Sequence, residues 1–191
     1  KYKLKPTLEQ EKQLNEWVGI SRWIWNWCLT TNKEEYQRSK KFIFRYDLKL
    51  QIPKLKEKHN WLKGIPSQAL QNRVIDFDVA LKRVWKQGNG FPKYKSKDIE
   101  HHNTLRIDQT AKHIKPTKSQ VKIPKMGWVK WVKHRPLEGK LKNITIKREN
   151  NYWWCICLCD IGYIPHLKES SDEQVVGIDL GITNFATKSD G

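Results

Sequence analysis

The chain has 191 residues, with 37 Lys and Arg against 20 Asp and Glu, and a net charge of +17. With 38% hydrophobic and 11% aromatic content it is built to fold, around one good core or two small ones, and not to stay disordered. No run approaches the roughly 18 apolar residues of a membrane-spanning helix and no signal peptide opens the chain, which excludes an integral helical membrane protein and leads us to expect a cytoplasmic one.

So large a positive surplus in so short a chain points to a polyanionic partner more than to solubility alone. An anionic membrane surface fits less well, because the basic residues are not confined to one amphipathic helix. The chain opens on Lys1 and not on Met, so further residues upstream are expected.

In chain order, "KYKLKP" alternates Tyr2 and Leu4 with lysines and reads as a short strand. "TLEQ" follows as a capping box, Thr7 with Gln10 three residues on. The apolar positions after it, Leu14, Trp17, Val18, Ser21, Ile24, Trp25, Cys28 and Leu29, have helical spacing and are read as core packing. A basic stretch holding Phe42, Phe44 and Tyr46 leads into a second helix, from about Asp47 to His59. A third starts near Ser67, puts Leu70, Val74, Phe77, Leu81, Val84 and Trp85 on one face, and ends at Gly88 and Gly90. The N-terminal half is therefore a helical unit inserted after a strand.

From "GNGFPKYKSK" onward the period changes to two. "NTLRI", "KHIKP", "QVKIP", "GWVKWVKH", "KLKNITIKR" and "YWWCICLCD" alternate, with turn residues between them. This predicts a small all-β unit, closed as a barrel, and an α+β fold class for the chain. Twelve Lys or Arg and one acid, Glu138, lie between Lys112 and Arg148. Alternation is expected to set the lysines opposite Val129, Val132, Leu141, Ile144 and Ile146, with Trp128, Trp131 and Tyr152 offering stacking surfaces among them. A solvated basic face is the plain alternative, but charge interleaved with aromatics suits a nucleic-acid strand better. The candidate nucleic-acid-binding residues, taken as RNA-binding on the resemblance described below, are Lys122, Lys125, Trp128, Lys130, Lys133 and Arg135, with Lys93, Tyr94 and Lys95 from the preceding loop.

Cys155, Cys157 and Cys159 alternate and so share one strand face, while Cys28 stands alone in the first helix. No CxxC pairs are present, so buried reduced thiols are expected and not a zinc site. At the start of the third helix, Ser67, Gln68, Gln71 and Asn72 gather hydroxyl and amide groups suited to base edges in a major groove. Simple capping by Ser67 accounts for them equally well.

The chain closes on "VVGIDLGITNFATKSDG". Asp179 can be read as the structural acid of a hairpin turn. The segment also resembles the "GIDLGTTN" phosphate loop of the actin and heat-shock chaperone ATPases. A third reading is the first strand of an RNase H-like nuclease of the RuvC kind, whose aspartate binds divalent metal. The nuclease reading leads, because the motif follows a basic helical and all-β assembly instead of opening the protein.

Taken together, "YKLKPTLEQEKQL", "SRWIWNWCL", "WLKGIPSQALQN", "GFPKYKSK", "VKIPKMGWVKWVKHRPLEGKLKNITIKR" and the closing segment resemble, in order, the blocks of the N-terminal half of the TnpB (OrfB) family. These are transposon-encoded RNA-guided DNA endonucleases related to compact type V CRISPR effectors. The resemblance implies an oligonucleotide-binding-like wedge barrel, made of the first strand (1–6) and residues 91–160. It also implies a helical recognition insertion at 7–90, a linker at 161–174, and the start of a RuvC domain at 175–191. It implies a guide RNA and target double-stranded DNA with an adjacent motif as partners, Asp179 as catalytic and metal-binding acid, and Tyr46 and Thr110 near the same DNA duplex as the third-helix start. Mg2+ would be held with acids beyond residue 191, where a zinc ribbon is also expected, so the fragment alone should not cut. A prokaryotic cytoplasmic protein, nucleoid-associated when bound, is implied. A nuclease-silent, RNA-guided repressor is the alternative.

Overall fold

A computed structural model describes residues 1–108, 113–163, 176–181 and 185–189. The chain divides into two compact units, Lys1–Asp160 and Ile161–Gly191.

The first unit is α+β. Helix α1 (Leu8–Ser39) starts on the expected capping box: the Gln10 amide donates to Thr7 Oγ1 at 3.3 Å, and the Thr7 amide donates to Gln10 Oε1 at 3.1 Å. All eight residues of its predicted apolar stripe are buried, from Leu14 to Leu29. Helices α2 (Arg45–Lys58) and α3 (Ser67–Gln87) follow. Gly88 closes α3 at φ 65°, and a Cβ there would meet nothing within 4 Å, so the glycine answers to the left-handed backbone alone. The predicted stripe of α3 holds from Leu70 to Leu81, beyond which burial lapses. Trp85, expected on the same face, is 53% exposed, because the last turn runs past the surfaces that cover the rest of the helix.

Seven antiparallel strands make one sheet in the order β2-β6-β7-β1-β5-β4-β3. They are β1 (Tyr2–Lys5), β2 (Thr104–Asp108), β3 (Lys115–Pro116), β4 (Gln120–Ile123), β5 (Gly127–Val132), β6 (Lys140–Glu149) and β7 (Tyr152–Asp160). The N-terminal strand is thus central, between β7 and β5, and the three helices intervene before β2. Asn150 and Asn151, at φ 49° and 60°, form the tight β6–β7 turn that suits the right-handed twist of its strands. Leu4, Val121, Val129, Trp131, Ile144 and Ile146 line the inner face and join the buried residues of the helices in one continuous core.

A buried polar network fastens helix to sheet. Ser21 Oγ donates to the Thr104 carbonyl at 3.0 Å, Arg73 Nε donates to Ser21 Oγ at 2.8 Å, and Arg73 also donates to the Thr104 carbonyl. Burial lowers the Arg73 pKa, and the Asp76 carboxylate, 3.6 Å away, opposes that.

The cysteines of β7 share a face as expected: Cys155 is buried, Cys157 and Cys159 half-buried, and the Cys155 and Cys157 sulfurs lie 3.9 Å apart. In the second unit, β8 (Ile178–Asp179) pairs with β9 (Thr187–Lys188) as an antiparallel hairpin. Residues 164–175, most of the expected linker, lie outside the described residues.

Candidate nucleic-acid interface

Cross-strand register sets out a basic, aromatic face on the outer side of β3, β4, β5 and β1. Lys115 lies opposite Lys122, and Lys122 opposite Trp128. Gln120 lies opposite Lys130, and Lys130 opposite Lys5. Lys3 continues the face toward β7, with its ammonium 3.3 Å from the Tyr152 ring centroid, while that of Lys1 is 4.3 Å from the Trp154 ring. Like charges directly opposite one another weaken a strand pair, and this sheet carries two such pairs, Lys115–Lys122 and Lys5–Lys130. An anionic strand laid across them would turn that repulsion into attraction.

Of the predicted RNA-binding residues, the register brings together Lys122, Trp128 and Lys130. Trp128 keeps 43% of its surface exposed, while the Trp128 carbonyl accepts from Gln10 Nε2 at 2.9 Å. Lys125 occupies the left-handed β4–β5 turn and donates to the Lys63 carbonyl. Two expectations for this face fail. Trp131 is buried and Val132 exposed, the reverse of the assignment that made Val132 core and Trp131 a stacking surface. Leu4 faces Trp131 across β1–β5, so register turns that ring inward.

Lys133 and Arg135 belong to the segment after β5, where they line a cleft with Lys118 and His134. Tyr2 Oη donates to the Arg135 and Pro136 carbonyls at 3.3 Å and holds that segment to the central strand. Lys93, Tyr94 and Lys95 are elsewhere, because their loop docks on α1. Trp25 Nε1 donates to the Lys93 carbonyl at 2.9 Å, Asn26 bonds Lys95 through both its amide nitrogen and oxygen, and Thr30 and Tyr94 hydroxyls meet at 3.2 Å. Lys95 lies 4.4 Å from the Trp25 ring, and burial, helped by the nearby positive charge of Arg73, lowers its pKa to about 8. Lys95 is therefore a half-buried loop anchor and not a freely presented cation.

The predicted DNA-binding residues also separate. Gln71 is exposed at the start of α3 and Gln68 half-buried beside it. Ser67 does not cap the helix; its Oγ accepts from Lys56 Nζ at 2.7 Å. Asn72 is 3% exposed and donates to the Arg106 carbonyl at 3.2 Å, so its amide is committed to β2 and drops out of the base-reading set. Tyr46 is exposed, but it begins α2 whereas Lys56, ten residues on, touches Ser67. That places Tyr46 roughly 15 Å along the helix from the α3 start. Thr110 lies outside the described residues. Asp179 is exposed on the β8–β9 hairpin, opposite Thr187. Among the described residues no three His, Cys, Asp or Glu side chains are grouped to hold a metal ion.

Residues 1–41 match a family model described as a helix-turn-helix domain, of the OrfB type. Across all of this chain and 47% of its own length, the Escherichia coli K12 protein named "Putative RNA-guided DNA endonuclease InsQ" is 26% identical. A Streptomyces pristinaespiralis protein named "Putative RNA-guided DNA endonuclease" is 22% identical across all of this chain and 48% of its own length. Both similarities run the whole length of this chain. The chain spans about half the length of these curated relatives. Within residues 1–41 the structure holds one strand and one uninterrupted helix of 32 residues, so the segment matched as helix-turn-helix does not form two helices about a turn.

Lys3, Lys5, Tyr152 and Trp154 complete the basic face. The lysines were visible in "KYKLKP", but nothing local tells that a terminal strand will be central to a distant sheet.

Proposed function

We propose that this chain is the nucleic-acid-holding half of a transposon-encoded RNA-guided DNA endonuclease. The seven-stranded sheet serves as an oligonucleotide-binding-like wedge that holds guide RNA on its outer basic face. The helical insertion, with Gln71 and Gln68 at the start of α3, faces target-adjacent DNA. The observation that carries the reading is the opposition of lysines across the strands beside an exposed Trp128. A free protein gains nothing from such pairs, whereas a phosphate backbone neutralises them. Similarity along all of this chain to about half the length of two proteins named as RNA-guided DNA endonucleases supports it.

Asp179 would act as one ligand of catalytic Mg2+ in a RuvC domain. Its hairpin leaves Ile178 and Leu180 exposed, apolar side chains that a central strand of an RNase H-like sheet would bury. One carboxylate does not make a two-metal site, so the ion requires acids from other elements.

The test is fluorescence anisotropy of a labelled RNA hairpin with a single-stranded tail, titrated with the 191-residue chain at several salt concentrations. Affinity should fall steeply with salt. Replacing Lys5 and Lys130 together by Gln should weaken binding and lower the salt slope by about two, while raising the melting temperature of the free protein. A flat salt response, or no binding at low salt, would refute the proposal.

A further inference from the structure

Five aromatic side chains surface at one corner of the helical layer, where α1 and α3 end and α2 begins. Phe42 is the hub. It stacks on Tyr36 with ring centroids 4.7 Å apart and planes at 20°, meets Trp85 edge-on at 5.0 Å, and lies 6.1 Å from Phe91. Half-buried, Phe42 accounts for pinning the 40–44 segment. It does not account for Trp85 at 53% exposed, Tyr36 at 42% or Phe44 at 40%. A corner that needed only a pin would bury its rings, and a cluster left open marks a binding surface.

Two recesses flank Phe42, one bounded by Lys41, Phe44 and Trp85 and the other by Lys33, Tyr36, Gln37 and Phe91. Cations border the rings: Lys40 Nζ is 5.4 Å from the Tyr36 ring, and Lys82 Nζ, paired with the Asp78 carboxylate at 2.7 Å, is 5.3 Å from the Phe44 ring. Residues 33–45 carry five basic and two acidic side chains, and residues 78–86 three basic and one acidic, the Asp78 that Lys82 neutralises. One of the acids, Glu35, is already engaged by Arg38 and Ser39.

Aromatic faces ringed by ammonium groups suit bases and phosphates together. A duplex hides its base faces, so the fitting partner is unpaired. The Tyr36 hydroxyl and Gln37 amide beside one recess can donate to and accept from a ribose 2′-hydroxyl, which favours RNA over DNA. We propose that this corner is a stacking platform for unpaired RNA nucleotides, with bases on Trp85, Tyr36 and Phe44 and phosphates on Lys40 and Lys41. The platform is separate from the sheet face, but it rests on the reading that the chain holds RNA.

The test measures binding of a 12-nucleotide oligoadenylate RNA, its deoxy counterpart and a blunt RNA duplex to the 191-residue chain. Variants are Tyr36→Ala with Trp85→Ala, Trp85→Phe alone, and Lys5→Gln with Lys130→Gln, each checked by circular dichroism and thermal melting. The alanine pair should lose about tenfold in affinity for single-stranded RNA with an unchanged salt slope, and leave duplex binding as it was. Trp85→Phe, which keeps a stacking face, should bind within about threefold of the parent. Unchanged affinity in a folded alanine variant overturns the platform, as does a larger loss for the deoxy strand. A dimer in sedimentation velocity that the alanine pair dissociates also overturns it, by assigning the corner to self-association. If only the Lys5 and Lys130 variant loses RNA, the platform fails while the sheet interface stands; if the parent chain binds no RNA, both fail.

Discussion

Asn72 and Gln71 are neighbours in sequence with opposite fates, because successive helical positions point about 100° apart. Asn72 is spent on the Arg106 carbonyl, and Asn72→Ala should lower unfolding stability by about 1–3 kcal/mol, read from urea melts, by leaving that acceptor unpaired. Gln71→Ala should leave stability within about 0.5 kcal/mol. Under the proposed reading, the same change in the complete protein should relax target choice by about 1–3 kcal/mol, measured as cleavage across a randomised adjacent-motif library. An Asn72→Ala protein as stable as the parent, or an unchanged library profile for Gln71→Ala, would undo the respective assignment. Lys95 supplies a pH signature. Its folded pKa of about 8 lies below the ordinary 10.5, so between those values the unfolded chain holds a proton that the folded chain has released. The penalty for burying the cation is fully present below pH 8, and stability rises as pH climbs through that window. Denaturation midpoints from pH 7.5 to 10.5 should show a rise in the parent that is missing from Lys95→Met.

Among the elements, α3 is tied to β2 by Arg73, whose guanidinium serves Ser21 and Thr104 from a buried position. Arg73→Met keeps much of the packing but removes the donors that Arg73 gives to Ser21 Oγ and to the Thr104 carbonyl, which then keep only their bond to each other. It should cost about 2–3 kcal/mol in a urea melt, with an unchanged denaturant slope. A neutral outcome would show the helix layer to be held by apolar contacts alone. How far each element could be read from sequence depends on how regular its pattern is. The α1 stripe and its capping box are repetitive and local, and they stand as read. In "GWVKWVKH" the apolar Trp131 and Val132 are adjacent, so strict alternation cannot say which one turns inward. The pairing of Leu4 with Trp131 decides it, and that pairing joins residues 127 positions apart.

At the scale of the whole molecule, binding and cutting should be separable. Under the proposed reading, binding rests on many dispersed cations, whereas cutting rests on a carboxylate that helps position metal ions. In the complete protein Asp179→Ala should abolish Mg2+-dependent DNA cleavage and leave RNA affinity within about twofold. Asp179→Asn, which keeps the shape but not the charge, should behave likewise. Full cleavage by either variant would remove Asp179 from the site. ATP binding lost with Asp179 would return the closing motif to the ATPase reading.

What the amino-acid sequence determined by itself was whatever repeats locally: helix spans from apolar periodicity, strand spans from alternation, turn positions, the basic surplus, and an ordered set of blocks specific enough to identify relatives. Tertiary structure alone decided which residues meet. It made the N-terminal strand central, set Lys5 against Lys130 and Lys115 against Lys122, turned Asn72 inward, docked the "FPKYKSK" loop on α1, and left Trp85 uncovered at the end of α3. The reason is physical. A residue's backbone preference is set by its near neighbours, but its burial and its cross-strand partner depend on chain segments that only the folded core brings alongside.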